Sequence, residues 1–234
     1  MGATMTNSTV SATEVDKFDR LAAQWWNPNG PMKPLHRMNP ARIGWIEALI
    51  PAGAAVLDVG CGAGLAAEAL ARHGHTVLAI DAAGEAIEAA RTHAEGQALD
   101  LTYRAALAED LVAEGLQFPV VTCLEVIEHV PDPAAFVPVL ADLVEPGGVL
   151  IMSTLNRTRR SWLVAKFGAE YVMRMLPVGT HDWKQFIPPS ELARMMRAAG
   201  LRVSQTTGLV HDPLRGGWQT GRDMGINYMM AAVR

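Results

Sequence analysis

The sequence predicts an α/β fold: a mostly parallel seven-stranded sheet with helices on both faces and an antiparallel last strand. Short, apolar, β-rich runs alternate with helical stretches between residues 54 and 153, and this alternation is typical of parallel βαβ units. A glycine-rich turn follows the first run. Half of the 234 residues are hydrophobic and 19% are charged, which is typical of a globular core. Residues 1–12 are small and polar and are expected to be disordered, whereas residues 13–234 are expected to form one domain.

The segment 13–50 is predicted to hold two helices that precede the sheet. Apolar side chains share one helical stripe over residues 13–26, which indicates the first helix. Residues 27–40 are rich in proline, glycine and asparagine, so we interpret them as a loop. The second helix is expected over residues 41–50, because Pro51 stops it.

The alternating region and the segment after it account for the remaining elements. Strands are expected at residues 54–59, 76–80, 101–104, 118–124, 149–153, 201–210 and 226–233. Helices are expected at residues 64–73, 84–96, 133–145 and 189–199. No crossover connection is needed between the last two strands, so they can form an antiparallel pair. The segment 157–187 does not fit the alternation and is predicted to be an insertion.

Composition limits the class of partner and the compartment. The formal net charge of −4 gives no global basic field, which argues against a nucleic-acid partner. Cys61 and Cys123 form neither a C-x-x-C pair nor a zinc spacing, so a reduced, cytoplasmic protein is the simplest interpretation. The N-terminal residues do not resemble a signal peptide, and no apolar run approaches the ~20 residues of a membrane span.

The glycine-rich turn predicts a ligand that carries a ribose and a cation but no phosphate. A dinucleotide fold would place its third glycine where this chain has Leu65. Asp58 precedes Gly60 and Gly62 at the end of the strand, and a carboxylate there suits an ammonium group. Asp81 closes the next strand, where a carboxylate accepts hydrogen bonds from ribose hydroxyls. S-adenosylmethionine has these parts; the alternatives are a plain tight turn and a nicotinamide cofactor.

Several strings then resemble known proteins. "VLDVGCGAG" followed by "AID" resembles the first motif and the partner acid of class I methyltransferases. "QWWNPNGPMKPLHRMNPARIGWI", "VVTCLEVIEHVPDP", "PGGVLIMSTLNRTRRSWL" and "GAEYVMRMLPVGTHDWKQFIPPSEL" resemble the ubiquinone-biosynthesis O-methyltransferase family, from about Phe18 onward. One departure is Pro119, where we expect an aspartate, so the fourth strand is expected to begin one residue later.

This resemblance implies a Rossmann-like class I fold and S-adenosylmethionine as cofactor. The implied reaction is methylation of the phenolic hydroxyls of polyprenylated precursors, namely 2-polyprenyl-6-hydroxyphenol and 3-demethylubiquinol. By motif, Arg42, Gly60, Asp81 and Leu124 would contact the cofactor. The alternatives are another small-molecule methyltransferase and a non-catalytic cofactor-binding subunit of a quinone-biosynthesis complex.

Methylation of a phenol requires a way to remove its proton, because a phenol with pKa ~10 is mostly protonated at neutral pH. In "LEVIEHV", Glu125, Glu128 and His129 would share one face if the chain is helical there. Together they could hold a divalent ion such as Mg²⁺. Alternatively, His129 acts as the base while Glu128 orients it, or the three side chains are only structural.

The segment 156–176 is predicted to contact a membrane, because a prenylated substrate resides in the bilayer. Five basic residues accompany a single acid, Glu170, in this segment, and its apolar side chains can form one face. A basic amphipathic helix of this kind suits an interfacial position on anionic lipid. We therefore expect a cytoplasmic protein at the inner face of the membrane, where it meets other ubiquinone-biosynthesis enzymes. The alternative is an active-site lid packed on the core.

Overall fold

The computed structural model describes residues 11–163, 183–212 and 217–234, and these form an α/β structure around one eight-stranded sheet. The strands are β1 (Ala55–Val59), β2 (Thr76–Asp81), β3 (Leu101–Ala105), β4 (Phe118–Leu124), β5 (Val144–Leu155), β6 (Arg202–Asp212), β7 (Gly217–Gly221) and β8 (Asn227–Val233). Their order is β3-β2-β1-β4-β5-β8-β6-β7. The first five strands pair in parallel, whereas β8, β6 and β7 join them through antiparallel ladders.

Helices cover both faces of the sheet, as predicted. The helices are α1 (Ala12–Leu21), α2 (Lys33–Glu47), α3 (Leu65–Arg72), α4 (Gly84–Ala94), α5 (Ala108–Ala113), α6 (Pro133–Asp142) and α7 (Pro189–Ala198). Short 3-10 helices cover Ala22–Gln24, Ile127–His129 and Trp183–Gln185. One core packs α2, α3 and α4 against the sheet, and a second packs α5, α6 and α7 against the other face. Burial of apolar surface in these two cores is the main force that holds the layers together.

The sheet order places one edge in position for ligand binding. The direction of the strand order reverses between β1 and β4, and ligands of open α/β sheets bind beyond the carboxyl ends of the strands at such a point. The turn at residues 60–64 leaves β1 there, and the segment from residue 125 leaves β4 there. β8 runs in the opposite direction, so its first residue, Asn227, lies at the same edge beside Leu155.

Three predictions of local structure are wrong. The sheet has eight strands and not seven, because the short, half-exposed edge strand β7 lacks apolar alternation. The sequence also gave no signal for the six-residue helix α5. Helix α2 begins at Lys33, so residues 33–40 are not a loop. Pro34 is tolerated in the first turn, where no intrahelical donor is needed, and the helix also accommodates Pro40.

The fourth strand spans Phe118–Leu124, as predicted, and Pro119 does not delay its start. Its register on β5 nevertheless shifts between Phe118 and Val120. Proline has no N–H to donate, so the ladder is interrupted at that residue and resumes beyond it. The irregularity lies at the amino end of the strand, far from the ligand-binding edge. The predicted antiparallel pairing of the last two long strands, β6 and β8, is confirmed.

Both cysteines are free and buried, with Cys61 in the glycine turn and Cys123 in β4. Burial raises the pKa of both thiols well above its ordinary value. No helix in the described ranges is long and apolar enough to cross a membrane. Residues 1–10 and 164–182 lie outside the described ranges, and with them most of the predicted disordered terminus and of the predicted insertion.

Candidate active site

The turn after β1 brings bare backbone to the ligand-binding edge. Gly60 and Gly62 have positive φ angles of 73° and 54°, which favour glycine. The turn is held over β2, because the N–H of Gly60 donates to the carbonyl of Ile80 at 2.8 Å. A Cβ atom at Gly60 would collide with the side chain of Val126, and one at Gly62 would collide with the ring of Trp25. Glycine is therefore required at both positions, because of the backbone conformation and because neighbouring side chains approach so closely.

Asp81 closes β2 directly beneath this turn. Its Oδ2 accepts a hydrogen bond from the N–H of Gly62 at 2.7 Å, and its Oδ1 accepts one from the N–H of Ala83 at 2.8 Å. Burial raises the pKa of Asp81, and these two hydrogen bonds oppose that shift. Each carboxylate oxygen can accept a second hydrogen bond. The carboxylate is thus fixed in place and retains the capacity to bind two ribose hydroxyls.

Asp58 and Arg42 form a buried pair of opposite charges with unsatisfied atoms. Asp58 Oδ1 accepts from the hydroxyl of Thr122 at 2.7 Å, whereas Asp58 Oδ2 and Arg42 Nε have no partner among the described residues. Burial raises the pKa of Asp58 to about 6, although Thr122 and Arg42 oppose this shift. Buried polar atoms are rarely left unpaired in native proteins. The amino-acid end of S-adenosylmethionine fits this need, since its ammonium suits Asp58 and its carboxylate suits Arg42.

Two tryptophans fix the N-terminal region onto the glycine turn. The ring of Trp25 is buried against Gly62, and its indole N–H lacks a partner among the described residues. Trp26 donates its indole N–H to the carbonyl of Ala63 at 3.0 Å and stacks on His93 with a centroid distance of 3.4 Å. The two residues that follow the 3-10 helix after α1 therefore pack against the glycine turn.

Glu125 follows β4 in a strained conformation and is held by two other strands. Its φ of 58° is unusual for a residue with a side chain, and such strain is concentrated at functional sites. Ser153 donates its hydroxyl to Glu125 Oε1 at 2.7 Å. Asn227 donates its amide N–H to both carboxylate oxygens at 3.1 Å. Leu124, just before it, is buried at the end of β4. Glu125 is thus fixed at the junction of β4, β5 and β8.

Glu128 is buried close enough to Glu125 for the charge of that residue to act on it. Thr154 donates its hydroxyl to Glu128 Oε2 at 2.8 Å. Burial raises the pKa of Glu128 to about 8, and the charge of Glu125 adds to this effect. Glu128 can therefore exchange a proton close to neutral pH, which an ordinary glutamate cannot do.

His129 points elsewhere, which corrects the prediction that three side chains share one helical face. The segment Ile127–His129 is a 3-10 helix after the left-handed Glu125, so successive side chains diverge. His129 Nδ1 lies 2.9 Å from Glu14 Oε2 of α1, and its ring meets Phe18 edge-on at 5.3 Å. In the described ranges, no group of three histidine, cysteine, aspartate or glutamate side chains could hold a metal ion.

The structure brings the predicted glycines, Asp58, Asp81, Arg42, Leu124 and the two glutamates to one edge of the sheet. Sequence reasoning missed the polar side chains that support them. Thr122, Ser153, Thr154 and Asn227 all contact a predicted carboxylate. Thr122, Ser153 and Thr154 are polar residues within otherwise apolar strands, and this pattern could have identified them as site residues. Nothing in the sequence indicated that Glu14 would reach His129 from 115 positions away.

Comparisons with known proteins identify the family of this chain. A family model described as a methyltransferase domain matches residues 33–206. A ubiquinone biosynthesis O-methyltransferase from Thiobacillus denitrificans is 48% identical, with 97% of this chain and 99% of that protein covered. Proteins of the same name from Cereibacter sphaeroides and Xanthomonas axonopodis are 45% and 46% identical, over 97% of this chain and 98% and 96% of theirs.

A solved structure shows the same fold. The magnesium protoporphyrin IX methyltransferase of Synechocystis, solved with bound SAH, superposes with a TM-score of 0.69 at 20% identity, and 95% of each chain is covered. The same enzyme with bound SAM gives a TM-score of 0.67 at 19% identity, over 98% of this chain and 100% of that one. This chain therefore belongs to the ubiquinone biosynthesis O-methyltransferase family, whose fold is that of S-adenosylmethionine-dependent methyltransferases.

Proposed function

We propose that this protein methylates the phenolic hydroxyls of polyprenylated ubiquinone precursors, both 2-polyprenyl-6-hydroxyphenol and 3-demethylubiquinol. The observation that carries the proposal is the position of the carboxyl pair Glu125 and Glu128 at the same sheet edge as Asp58 and Asp81. The proposed cofactor site and the proposed proton acceptor would thus lie at one edge. The names of the relatives supply the pathway.

Cofactor binding is assigned to the residues around the glycine turn. Asp81 would accept hydrogen bonds from the ribose hydroxyls, and Gly60 and Gly62 would let the amino-acid end lie against the backbone. Asp58 and Arg42 would pair with its ammonium and carboxylate. The bound cofactor supplies a methyl group that its positive sulfur has already activated. Alignment of acceptor and methyl group by the protein can contribute about 7–11 kcal/mol.

Glu128 is our first candidate for the base. A carboxylate with a pKa of about 8 accepts a phenolic proton more readily than an ordinary glutamate, because its affinity for protons is closer to that of a phenolate. The wild-type kcat/KM should therefore rise with pH up to about 8, where Glu128 loses its own proton. Glu128→Gln should lower kcat by about 10²–10⁴-fold and remove that rise.

His129 is the second candidate, because a carboxylate orients its ring as in many histidine bases. His129→Gln separates the two. If Glu128 is the base, this variant keeps the rise toward pH 8 and loses activity only through the contact with Glu14. If His129→Gln abolishes turnover while Glu128→Gln retains the pH profile, the assignment of Glu128 is wrong.

A divalent cation stays part of the proposal, with fewer protein ligands than the sequence suggested. The carboxyl groups of Glu125 and Glu128 would hold a hard cation such as Mg²⁺ together with the vicinal oxygens of the acceptor. The cation would stabilise the phenolate. His129 does not fit this set, because it is directed to Glu14. Exhaustive chelation should then reduce turnover, and Mg²⁺ should restore it. Full activity of metal-free protein would show that no cation takes part.

Labelled methyl transfer tests the proposed function directly. Purified protein with S-adenosylmethionine should methylate a short-chain 2-prenyl-6-hydroxyphenol and the corresponding demethylubiquinol. Transfer to other phenols but to neither of these would favour another small-molecule methyltransferase. Cofactor binding without transfer to any phenol would favour a non-catalytic subunit of a biosynthetic complex.

Association with the membrane is proposed for the segment 156–176, of which residues 164–176 lie outside the described ranges. Two described apolar side chains support it, since Trp162 and Leu163 are each 43% exposed. Arg157 and Arg160 form ion pairs with Glu191 and Asp223, so they contribute less free charge than the sequence suggested. The protein would then act at the cytoplasmic face of the membrane, where other ubiquinone-biosynthesis enzymes would meet it.

A further inference from the structure

A pocket of about 740 Å³ opens beside the active site, between the start of α2 and the antiparallel end of the sheet. This volume lies within the range of small-molecule sites, roughly 300–1,000 Å³. Its apolar lining consists of Pro31, Pro34, Leu209, Val210, Trp218 and Ile226. None of these residues belongs to the cofactor site described above.

The wall on the strand side is rigid and aromatic. His211 of β6 and Trp218 of β7 are directly opposite each other, and their rings meet edge-on with a centroid distance of 5.5 Å. Leu209 lies two residues before His211, on the same face of β6, and is buried in the core. The edge strand that the sequence did not reveal therefore supplies one side of the pocket.

The inner end of the pocket lies one residue along the chain from a side chain that binds Glu125. Ile226 lines the pocket, and the next residue, Asn227, donates to both oxygens of Glu125 at 3.1 Å. Helix α2 makes a second connection, because Arg37 lines the pocket while Arg42, five residues further on, lies buried near Asp58 and Glu125. A molecule in the pocket would thus lie beside the reacting groups.

The other end of the pocket opens to the surface and carries positive charge. Lys33 and Arg37 are one helical turn apart on α2; Lys33 is half-buried and Arg37 is exposed. Arg160 also lines this region and pairs with Asp223. An occupant longer than the pocket can therefore extend outward past basic residues, which suit the phosphate groups of a lipid surface.

We propose that this pocket receives the isoprenoid tail of the acceptor, with the phenol ring at the inner end beside Glu125. This inference rests on the proposed function and specifies how its substrate is recognised. An apolar chain that starts at the ring would cover Ile226 and Leu209, pass Trp218 and leave between Lys33 and Arg37. Apolar burial along this path would favour prenylated over tail-less phenols.

Two acceptors that differ only in the tail test this proposal: 3-farnesylcatechol and 3-methylcatechol. The measured quantity is the ratio of kcat/KM for the farnesylated over the methylated acceptor. Ile226→Trp, which narrows the inner end, and Trp218→Ala, which removes the wall, should each lower this ratio about tenfold. Leu116→Trp, at the opposite edge of the sheet, is the matched control and should leave the ratio unchanged. Equal ratios in wild type and in all three variants would overturn the proposal.

Direct binding separates failure of the pocket from failure of the proposed function. Calorimetric titration of 3-farnesylcatechol into protein saturated with S-adenosylhomocysteine should show affinity that Ile226→Trp weakens about tenfold. The affinity of each variant for S-adenosylhomocysteine should match wild type, which shows that the fold is intact. If no phenol is methylated, the proposed function fails, and this titration still decides the pocket: binding equal in wild type and Ile226→Trp contradicts it.

Discussion

Single residues of this site combine burial with fixed hydrogen bonds, and Asp81 is the clearest case. Its two oxygens already accept from the backbone N–H groups of Gly62 in the glycine turn and of Ala83, just before α4. The carboxylate cannot rotate away, so it presents its remaining lone pairs in a fixed direction. Preorganised acceptors of this kind bind with little loss of side-chain entropy.

Replacement of Asp81 by asparagine should weaken S-adenosylmethionine binding about ten- to a hundredfold, because a charge-assisted hydrogen bond contributes about 1.5–3 kcal/mol. Calorimetric titration of the folded variant measures this. Asp100→Asn, which alters an exposed aspartate before β3, is the control and should bind like wild type. An unchanged affinity of the Asp81→Asn variant would show that Asp81 does not bind the cofactor.

Asp58 should make cofactor binding depend on pH. Burial holds its pKa at about 6, so the carboxyl group is mostly neutral at pH 5 and mostly ionised at pH 7. Only the ionised form pairs with the ammonium of the cofactor, so affinity should rise about tenfold from pH 5 to pH 7, with proton release near pH 6.

Calorimetry in two buffers of different ionisation enthalpy measures the released proton. Asp58→Asn keeps the shape of the side chain and should give weaker affinity with no pH dependence over the same range. If the variant retains the wild-type dependence, another group is responsible for it.

At the scale of elements, the N-terminal region acts as a clamp on the glycine turn. Trp25 covers Gly62, Trp26 binds Ala63, and Glu14 of α1 reaches His129 beyond β4. Residues far from the turn in sequence thus pack directly against it. Contacts of this kind between distant segments are coupled, so their variants should not be additive.

Gly62→Ala should weaken cofactor binding for two separable reasons, a left-handed backbone and a collision with Trp25. Gly53→Ala is the matched control: Gly53 also has positive φ, 69°, but no atom lies near its missing Cβ. The control should lose about 1 kcal/mol of stability through the backbone alone and bind the cofactor normally.

A double variant tests the collision. Trp25→Ala should relieve that part of the Gly62→Ala defect, so the double variant binds more tightly than the product of the single effects predicts. If the changes in binding free energy of the two single variants add up in the double variant, Trp25 does not clamp the turn.

The elements differ in how far they could be predicted from sequence. Strands β1 and β2 were predicted within one residue, because buried parallel strands are continuous apolar runs bounded by turn residues. The start of α2 was missed because Pro34 and Pro40 indicated a loop. The condition that residues 125–129 be helical is not met, since Glu125 is left-handed and only Ile127–His129 form a 3-10 helix. Tertiary contacts with Ser153 and Asn227 hold Glu125 in place. Local patterns contain no information on such contacts.

On the scale of the whole molecule, the protein carries a net charge of −4 and is nevertheless expected to meet an anionic membrane. The expectation rests on local charge near residues 156–163, where Arg159 is exposed. Arg159→Glu should reduce co-sedimentation with anionic liposomes several-fold at low salt, at about 1 kcal/mol per basic residue. Binding of the wild type should weaken at high salt through screening.

Arg202→Glu makes the same charge change at the opposite edge of the sheet and serves as control. It should co-sediment like wild type, and both variants should bind S-adenosylmethionine normally. Wild-type protein that ignores anionic liposomes at low salt would contradict the membrane role of this segment.

The two buried thiols make the protein well suited to site-specific labelling. Cys61 and Cys123 are almost inaccessible, and burial raises the pKa of both, so maleimide reagents should leave them unmodified in the folded protein. A single surface cysteine, as in Arg159→Cys, would then accept one environment-sensitive fluorophore without prior removal of the native thiols. Its emission would report directly, in real time, whether that part of the surface enters lipid during turnover.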